Sequence, residues 1–155
     1  MRATKITKRQ VESDAIYKSK LVNRMINMVM LSGEKAVSRS IVYGALEKLA
    51  EDRKDAAIIF EDAIKNVMPM QEVRSRRVGG ATYQVPMPVR HDRAESLAIR
   101  WIIDSARGKK GKPMAEKLFE ELKSAKEGTG AAIKKRDDTH RMAEANRAFA
   151  HFSRF

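Results

Sequence analysis

Residues 71–86 read Gln71-Glu72-Val73-Arg74-Ser75-Arg76-Arg77-Val78-Gly79-Gly80-Ala81-Thr82-Tyr83-Gln84-Val85-Pro86. Two short runs of β-prone residues flank a pair of glycines. That pattern predicts a hairpin over 72–86, because a two-residue turn needs positive φ that glycine adopts cheaply. A lone two-stranded ribbon is marginal in water. This one carries Arg74, Arg76 and Arg77 and shows no obvious apolar face. The reading is a finger that reaches into something anionic.

The chain around it has 155 residues, 43% of them hydrophobic, a length that suits one domain over 1–155 with an ordinary core. Aromatics are few and methionines number 9, so the expected core is aliphatic and methionine-rich. The net charge is +12, and it is unevenly placed. Residues 1–24 carry +5 and residues 71–112 carry +6, while residues 25–70 carry −1 and residues 113–155 carry +2. Two basic zones on a near-neutral body are the footprint of a polyanion partner; a charge placed only for solubility would be spread more evenly. With no cysteine, disulfides and thiolate metal sites are excluded. No apolar run approaches a membrane span, so no membrane partner is expected. The first nine residues are basic and acid-free, which suits nucleic-acid binding and a transit peptide alike.

Outward from the hairpin, apolar periodicity predicts helices. Residues 1–19 have no period and read as an extended basic arm. Leu21, Val22, Met25, Ile26 and Val29 share one helical face. A second helix is expected over about 34–50, with Val37, Ile41, Val42, Ala45, Leu46 and Leu49 inward. A third has Asp55 as its N-cap, Ile59, Phe60, Ala63, Ile64 and Val67 on its stripe, and Pro69 as its stop. Pro86 and Pro88 are expected to end the second strand. Asp92 is read as the cap of a fourth helix, with Leu97, Ala98, Trp101, Ile102 and Ser105 inward and Arg93, Arg100, Asp104 and Arg107 outward. Pro113 opens a fifth helix with Ala115, Leu118, Leu122 and Ala125 inward. A sixth runs from about Asp137 or earlier to Phe149, with Met142, Ala145 and Phe149 inward. The fold class expected is mainly all-α. About six helices form a bundle, the β-hairpin protrudes between helices three and four, and the arm extends from the N-terminus.

Guanidinium forks match phosphate oxygens in pairs, and strand alternation sends Arg76 and Arg77 to opposite faces of the ribbon. Edge protection would be served equally by lysine, so three arginines in four residues favour RNA or DNA. Tyr83 either stacks on a base or covers a neighbour of the ribbon. Lys109, Lys110 and Lys112 form either a phosphate clamp or a solvated loop, without the ending of a P-loop. Lys134, Lys135 and Arg136 pose the same choice, with phosphate favoured. His140 and Glu144 share a helical face near Asp137 and Asp138, but no nucleophile or second ligand cluster accompanies them. The other reading is a capped helix start at Asp137, Asp138 and Thr139. The expected catalytic, metal and cofactor sites are therefore none.

Three stretches of this chain resemble the small-subunit ribosomal protein family numbered seven. They are residues 21–43 with Gly33 and Lys35, the hairpin string from Glu72 to Pro86, and Gly128-Thr129-Gly130-Ala131-Ala132 running on through Lys134-Lys135-Arg136 and Asp138 to His151. The resemblance covers nearly the whole chain in order. It implies a non-enzymatic protein with a helical bundle and a projecting ribbon. It implies primary binding to the 3′ major domain of small-subunit ribosomal RNA, nucleation of head assembly, and a ribbon near exit-site transfer RNA and messenger RNA. The implied RNA surface is Arg2, Lys5, Lys8 and Arg9 in the arm, Lys35, the three ribbon arginines, and Lys109, Lys110 and Lys112. Implied neighbours are other head proteins and one platform protein. The implied location is a cytoplasmic ribosome, with an organellar one as the alternative. Two rivals follow from the residues alone. An architectural DNA-binding protein would place an apolar wedge at the ribbon tip, where only Val78 stands. An RNA-modifying enzyme would have to be built on His140.

Overall fold

The computed structural model describes residues 11–154. Arg2, Lys5, Lys8 and Arg9 lie outside the described residues. Six α-helices, one hairpin and a closing 3-10 helix follow in chain order. They are α1 (Lys20–Val29), α2 (Lys35–Glu47), α3 (Arg53–Val67), β1 (Gln71–Val78), β2 (Ala81–Pro88), α4 (His91–Gly108), α5 (Met114–Lys126), α6 (Ala131–Ala145) and the 3-10 helix Arg147–Arg154. The expected class, mainly helical with a hairpin between helices three and four, is the one observed.

All six helices contribute to one core. α1 buries Val22, Met25, Ile26 and Val29, the spacing of a single helical face. α3 places Phe60, the largest fully buried side chain, among Ala56, Ala63, Ile64 and Val67. α4 adds Ala98, Ile99, Ile102 and Ile103, and α5 adds Leu118 and Leu122. α5 is central, packing on α2, α3 and α4.

Several local expectations are corrected. Residues 11–19 are not an extended arm. Asp14 is buried and closes a tight turn: its Oδ2 accepts the Ile16 and Tyr17 N–H groups, each at 3.0 Å, and its Oδ1 accepts the Tyr43 hydroxyl at 2.7 Å. Val37 is 52% exposed, because Ser38 takes the inward position one residue on. The Ser38 hydroxyl is satisfied there by donating to the Glu34 carbonyl at 2.9 Å. Asp52, not Asp55, caps α3 by accepting the Lys54 N–H at 3.0 Å; Asp55 sits in the first turn. Arg90 holds the N-cap position of α4, and Asp92 lies in its first turn. β2 runs past Pro86 and ends at Pro88.

α6 begins at Ala131, on the earlier side of the expected start, so Asp137, Asp138 and Thr139 are interior to it rather than a capped start. Its buried residues are Ala132, Ile133 and Ala143, whereas Met142 is 56% exposed and Ala145 is exposed. The helix ends at Asn146, which moves Phe149 into the 3-10 helix.

The early start of α6 has a tertiary cause. Glu121 of α5 is buried, and its Oε1 accepts the Ala132 N–H at 2.9 Å, capping α6 from another helix. Gly130 makes the approach possible. Its φ is +97°, and a Cβ there would stand 3.0 Å from Ser124 Cβ and 3.2 Å from Glu121 Oε1. Gly130→Ala is therefore expected to destabilise the fold by about 2 kcal/mol, the scale of a glycine-only backbone region. Gly128→Ala, also at positive φ but with nothing within 4 Å of its Cβ, should cost less. Urea titration of both variants checks the order.

Candidate nucleic-acid interface

The hairpin is antiparallel, with Val78 opposite Ala81 and Gln71 opposite Pro88. Gly79 and Gly80 form the two-residue turn at φ +56° and +92°, the two positive angles of a type I′ turn. Alternation puts Glu72, Arg74 and Arg76 on one face, across from Met87, Val85 and Tyr83, and puts Arg77 on the other. The first face is not free of apolar contacts. Val85 is fully buried, and Tyr83 lies 5.2 Å from the Phe149 ring and 5.0 Å from the Phe152 ring, centre to centre. The 3-10 helix thus braces β2, so the ribbon has an apolar anchorage that the sequence did not reveal. Of the two readings of Tyr83, cover for a neighbour is the one its ring packing shows.

The ribbon root is fastened a second time by charge. Glu72, 7% exposed, accepts Arg93 Nε of α4 at 2.9 Å and 2.8 Å on its two oxygens, and Arg74 Nε at 2.8 Å. Burial pushes the Glu72 carboxyl up, but the Arg93 and Arg74 hydrogen bonds outweigh it and leave the group below the ordinary glutamate range. A depressed folded pKa gives stability that is present above the unfolded value and lost as pH falls through the folded one. The wild type should therefore lose its stability advantage over Glu72→Gln progressively below about pH 4.5, and hold it constant near neutrality. Urea midpoints of the two proteins between pH 3 and 7 check this. A third fastening is the Met70 N–H donating to His140 Nε2 at 3.0 Å, where β1 begins.

These contacts divide the candidate cations into two groups. Arg76 and Arg77 have no carboxylate partner among the described residues, nor do Lys35, Lys110, Lys134 and Lys135. Arg74 is tied to Glu72. Lys109 bonds the buried Glu121 at 2.9 Å, and Lys112 bonds Glu120. Arg136 pairs with Asp137 at 2.6 Å and donates to the Asn66 carbonyl. The basic loop is therefore tethered to α5 by two of its three lysines. Sequence reasoning missed Glu72, Glu120 and Glu121 as partners. Glu72 was findable, as the one acid on an arginine strand, two residues from Arg74. The α5 acids were not, because only the packing of α5 against α4 brings them to the loop.

No group of three or more histidine, aspartate or glutamate side chains is placed to hold a metal ion among the described residues. No described helix is long and apolar enough to cross a membrane. The ribbon, the loop and the start of α6 define a class: a helical platform with a projecting ribbon that displays guanidinium and ammonium groups at its surface. Comparison with known proteins gives the particular case. The family model "Ribosomal protein S7p/S5e" matches residues 1–147. The chain is 56% identical over 153 residues to the "Small ribosomal subunit protein uS7" of Fervidobacterium nodosum, covering 98% of this chain and 99% of that one. The proteins of the same name from Thermosipho melanesiensis and Nautilia profundicola are 57% and 54% identical, with the same coverage. The chain belongs to the ribosomal protein S7p/S5e family, whose members are structural and non-enzymatic ribosomal proteins.

Proposed function

We propose that this protein is a structural constituent of the small ribosomal subunit, working as one RNA-binding domain. It binds the 3′ major domain of the subunit's ribosomal RNA, nucleates assembly of the head, and holds its ribbon near exit-site transfer RNA and messenger RNA. Head and platform proteins are its neighbours, in a bacterial-type cytoplasmic ribosome. One observation carries the reading. The ribbon is held by Arg93–Glu72, by His140 and by Phe149 and Phe152, while Arg76 and Arg77 near its tip keep their guanidiniums unpaired by any described carboxylate. A held ribbon with free cations loses little entropy when it meets phosphates. Arg2, Lys5, Lys8, Arg9, Lys35, Lys110, Lys134 and Lys135 extend the contact surface. Arg74, Lys109, Lys112 and Arg136 join it with their carboxylate partners in place, and Tyr83 braces the ribbon on the face it shares with Arg76.

The test is filter binding of the purified protein across a salt series. The ligands are the isolated 3′ major-domain RNA, another ribosomal RNA domain of equal length, and a DNA duplex. Selective binding to the first, with a steep log–log salt dependence, is expected. Equal affinity for duplex DNA would favour the architectural rival.

A further inference from the structure

α1 and α4 leave a groove of about 300 Å³ between them, lined by Met28, Arg100, Ile103, Asp104 and Arg107. That is the small end of the range for ligand sites. None of the five belongs to the ribbon, the basic loop or α6. The floor is apolar, with Ile103 buried and Met28 half-buried, while Arg100, Asp104 and Arg107 are exposed. The seam between the two helices is fastened at both ends. Arg24 of α1 bonds Glu95 and Ser96 of α4, and Arg107 Nη2 donates to the Val29 carbonyl at 3.2 Å. Arg100 has no carboxylate partner among the described residues.

Asp104 is the unexpected member. It makes no hydrogen bond or ion pair among the described residues, although Arg100 and Arg107 stand one turn away on either side. A cation four residues before an acid is the weaker order for a helical pair, and Arg107 is engaged by Val29. A free carboxylate repels phosphate, so it detracts from a surface that binds RNA by charge alone. It fits a partner that brings neutral N–H donors next to its anionic oxygens. A nucleotide does this, because its base donates and its phosphate accepts. A cationic protein side chain would also satisfy Asp104, but Arg100 and Arg107 oppose it. Among the four RNA bases only guanine sets two donors side by side, N1–H and an N2–H, to match the two oxygens of a carboxylate. We propose that this groove holds an unpaired guanine of the bound RNA. Asp104 accepts its N1–H and N2–H, Met28 and Ile103 lie beneath the ring, and Arg100 and Arg107 take the adjoining phosphates. The site rests on the RNA-binding reading above and adds base recognition to a surface otherwise described by charge.

Filter binding of wild type and Asp104→Ala to the 3′ major-domain RNA tests the sign of the effect. Losing a carboxylate from a phosphate-binding face should tighten binding, whereas losing a base contact should weaken it. Binding about tenfold weaker at an unchanged salt slope is expected, within the range of a lost bidentate base contact. Transcripts with inosine replacing guanosine at scattered, phosphorothioate-tagged positions identify the base, because inosine lacks only the 2-amino group. Inosine at one unpaired guanosine should be depleted from the RNA bound by wild type and not from that bound by Asp104→Ala. Arg100→Ala should instead flatten the salt slope by up to about 1 and keep the depletion. Asp104→Ala binding as tightly as wild type, or more tightly, would overturn the proposal. So would weaker binding with an inosine pattern unchanged from wild type. A wild type that does not prefer this RNA to duplex DNA would sink the ribosomal reading first, and this site with it.

Discussion

Removing Arg76 and Arg77 together is expected to weaken binding to the 3′ major-domain RNA by about 150-fold, from two charge-assisted contacts of about 1.5 kcal/mol each. The log–log salt slope should flatten by roughly 1.5 to 2, because two fewer phosphates are neutralised. The fold should be unaffected, since neither side chain has a described carboxylate partner to leave behind. Arg74→Ala is the informative contrast. Arg74 shares a face with Arg76, yet it is bonded to Glu72 at 2.8 Å, and Arg93 remains to hold that carboxylate. Its loss should flatten the slope by less than about 1, short of a full phosphate contact. A triple variant whose slope falls by a full three contacts would mean that Glu72 releases Arg74 on binding. An unchanged slope would move the main contacts to the N-terminal residues and to Lys35, Lys110, Lys134 and Lys135.

Glu121→Ala is expected to destabilise the protein by about 3 kcal/mol, the upper range for lost hydrogen bonds to a charged group. The carboxylate is 1% exposed and serves two masters: the Ala132 N–H of α6 and the Lys109 ammonium, each at 2.9 Å. Removing it uncaps α6, opens a cavity, and releases the loop between α4 and α5. Glu121→Gln keeps an acceptor for Ala132 and leaves only the ion pair unmade. It should cost about half as much, because Lys109 is partly solvated. The same variant separates structure from binding: a freed Lys109 becomes available to phosphate, so the RNA salt slope should steepen by up to about 1 while stability falls. Chemical denaturation and the salt titration, run on the same preparations, check both halves. A large stability loss in Gln equal to that in Ala would show that the ion pair, not the cap, is the main contribution.

The contact between Tyr43 and Asp14 has a similar character at the other end of the chain. Burial, and then the neighbouring Asp14 carboxylate, push the Tyr43 hydroxyl up to about 12, so it stays a donor at any physiological pH. The turn at Asp14 is thus held to the body through Tyr43.

Much of this was legible in the residues themselves. The faces of α1, α3 and α5 could largely be read from spacing because local periodicity decides them, whereas α4 buries Ala94, Ile99, Ile103 and Ala106 in place of the expected Leu97, Trp101 and Ser105. The hairpin was equally clear, since a glycine pair with two positive φ values leaves few alternatives. Its position between helices three and four follows from chain order alone. The uneven charge, and the arginines rather than lysines on the ribbon, already pointed to phosphate. What spacing could not decide were the places where a polar group from elsewhere satisfies the backbone. α6 has a weak stripe and no side-chain cap of its own, so its start depends on Glu121, ten residues away on another helix. Val37 and Ser38 exchange their expected roles because a hydroxyl that bonds its own helix can be buried at little cost. The ribbon's anchorage rests on Arg93, His140 and two phenylalanines, from three separate elements of the chain. The division of its cations into bound and free ones was likewise set by tertiary packing, because an ion pair needs two charges within a few ångströms and sequence distance does not measure that.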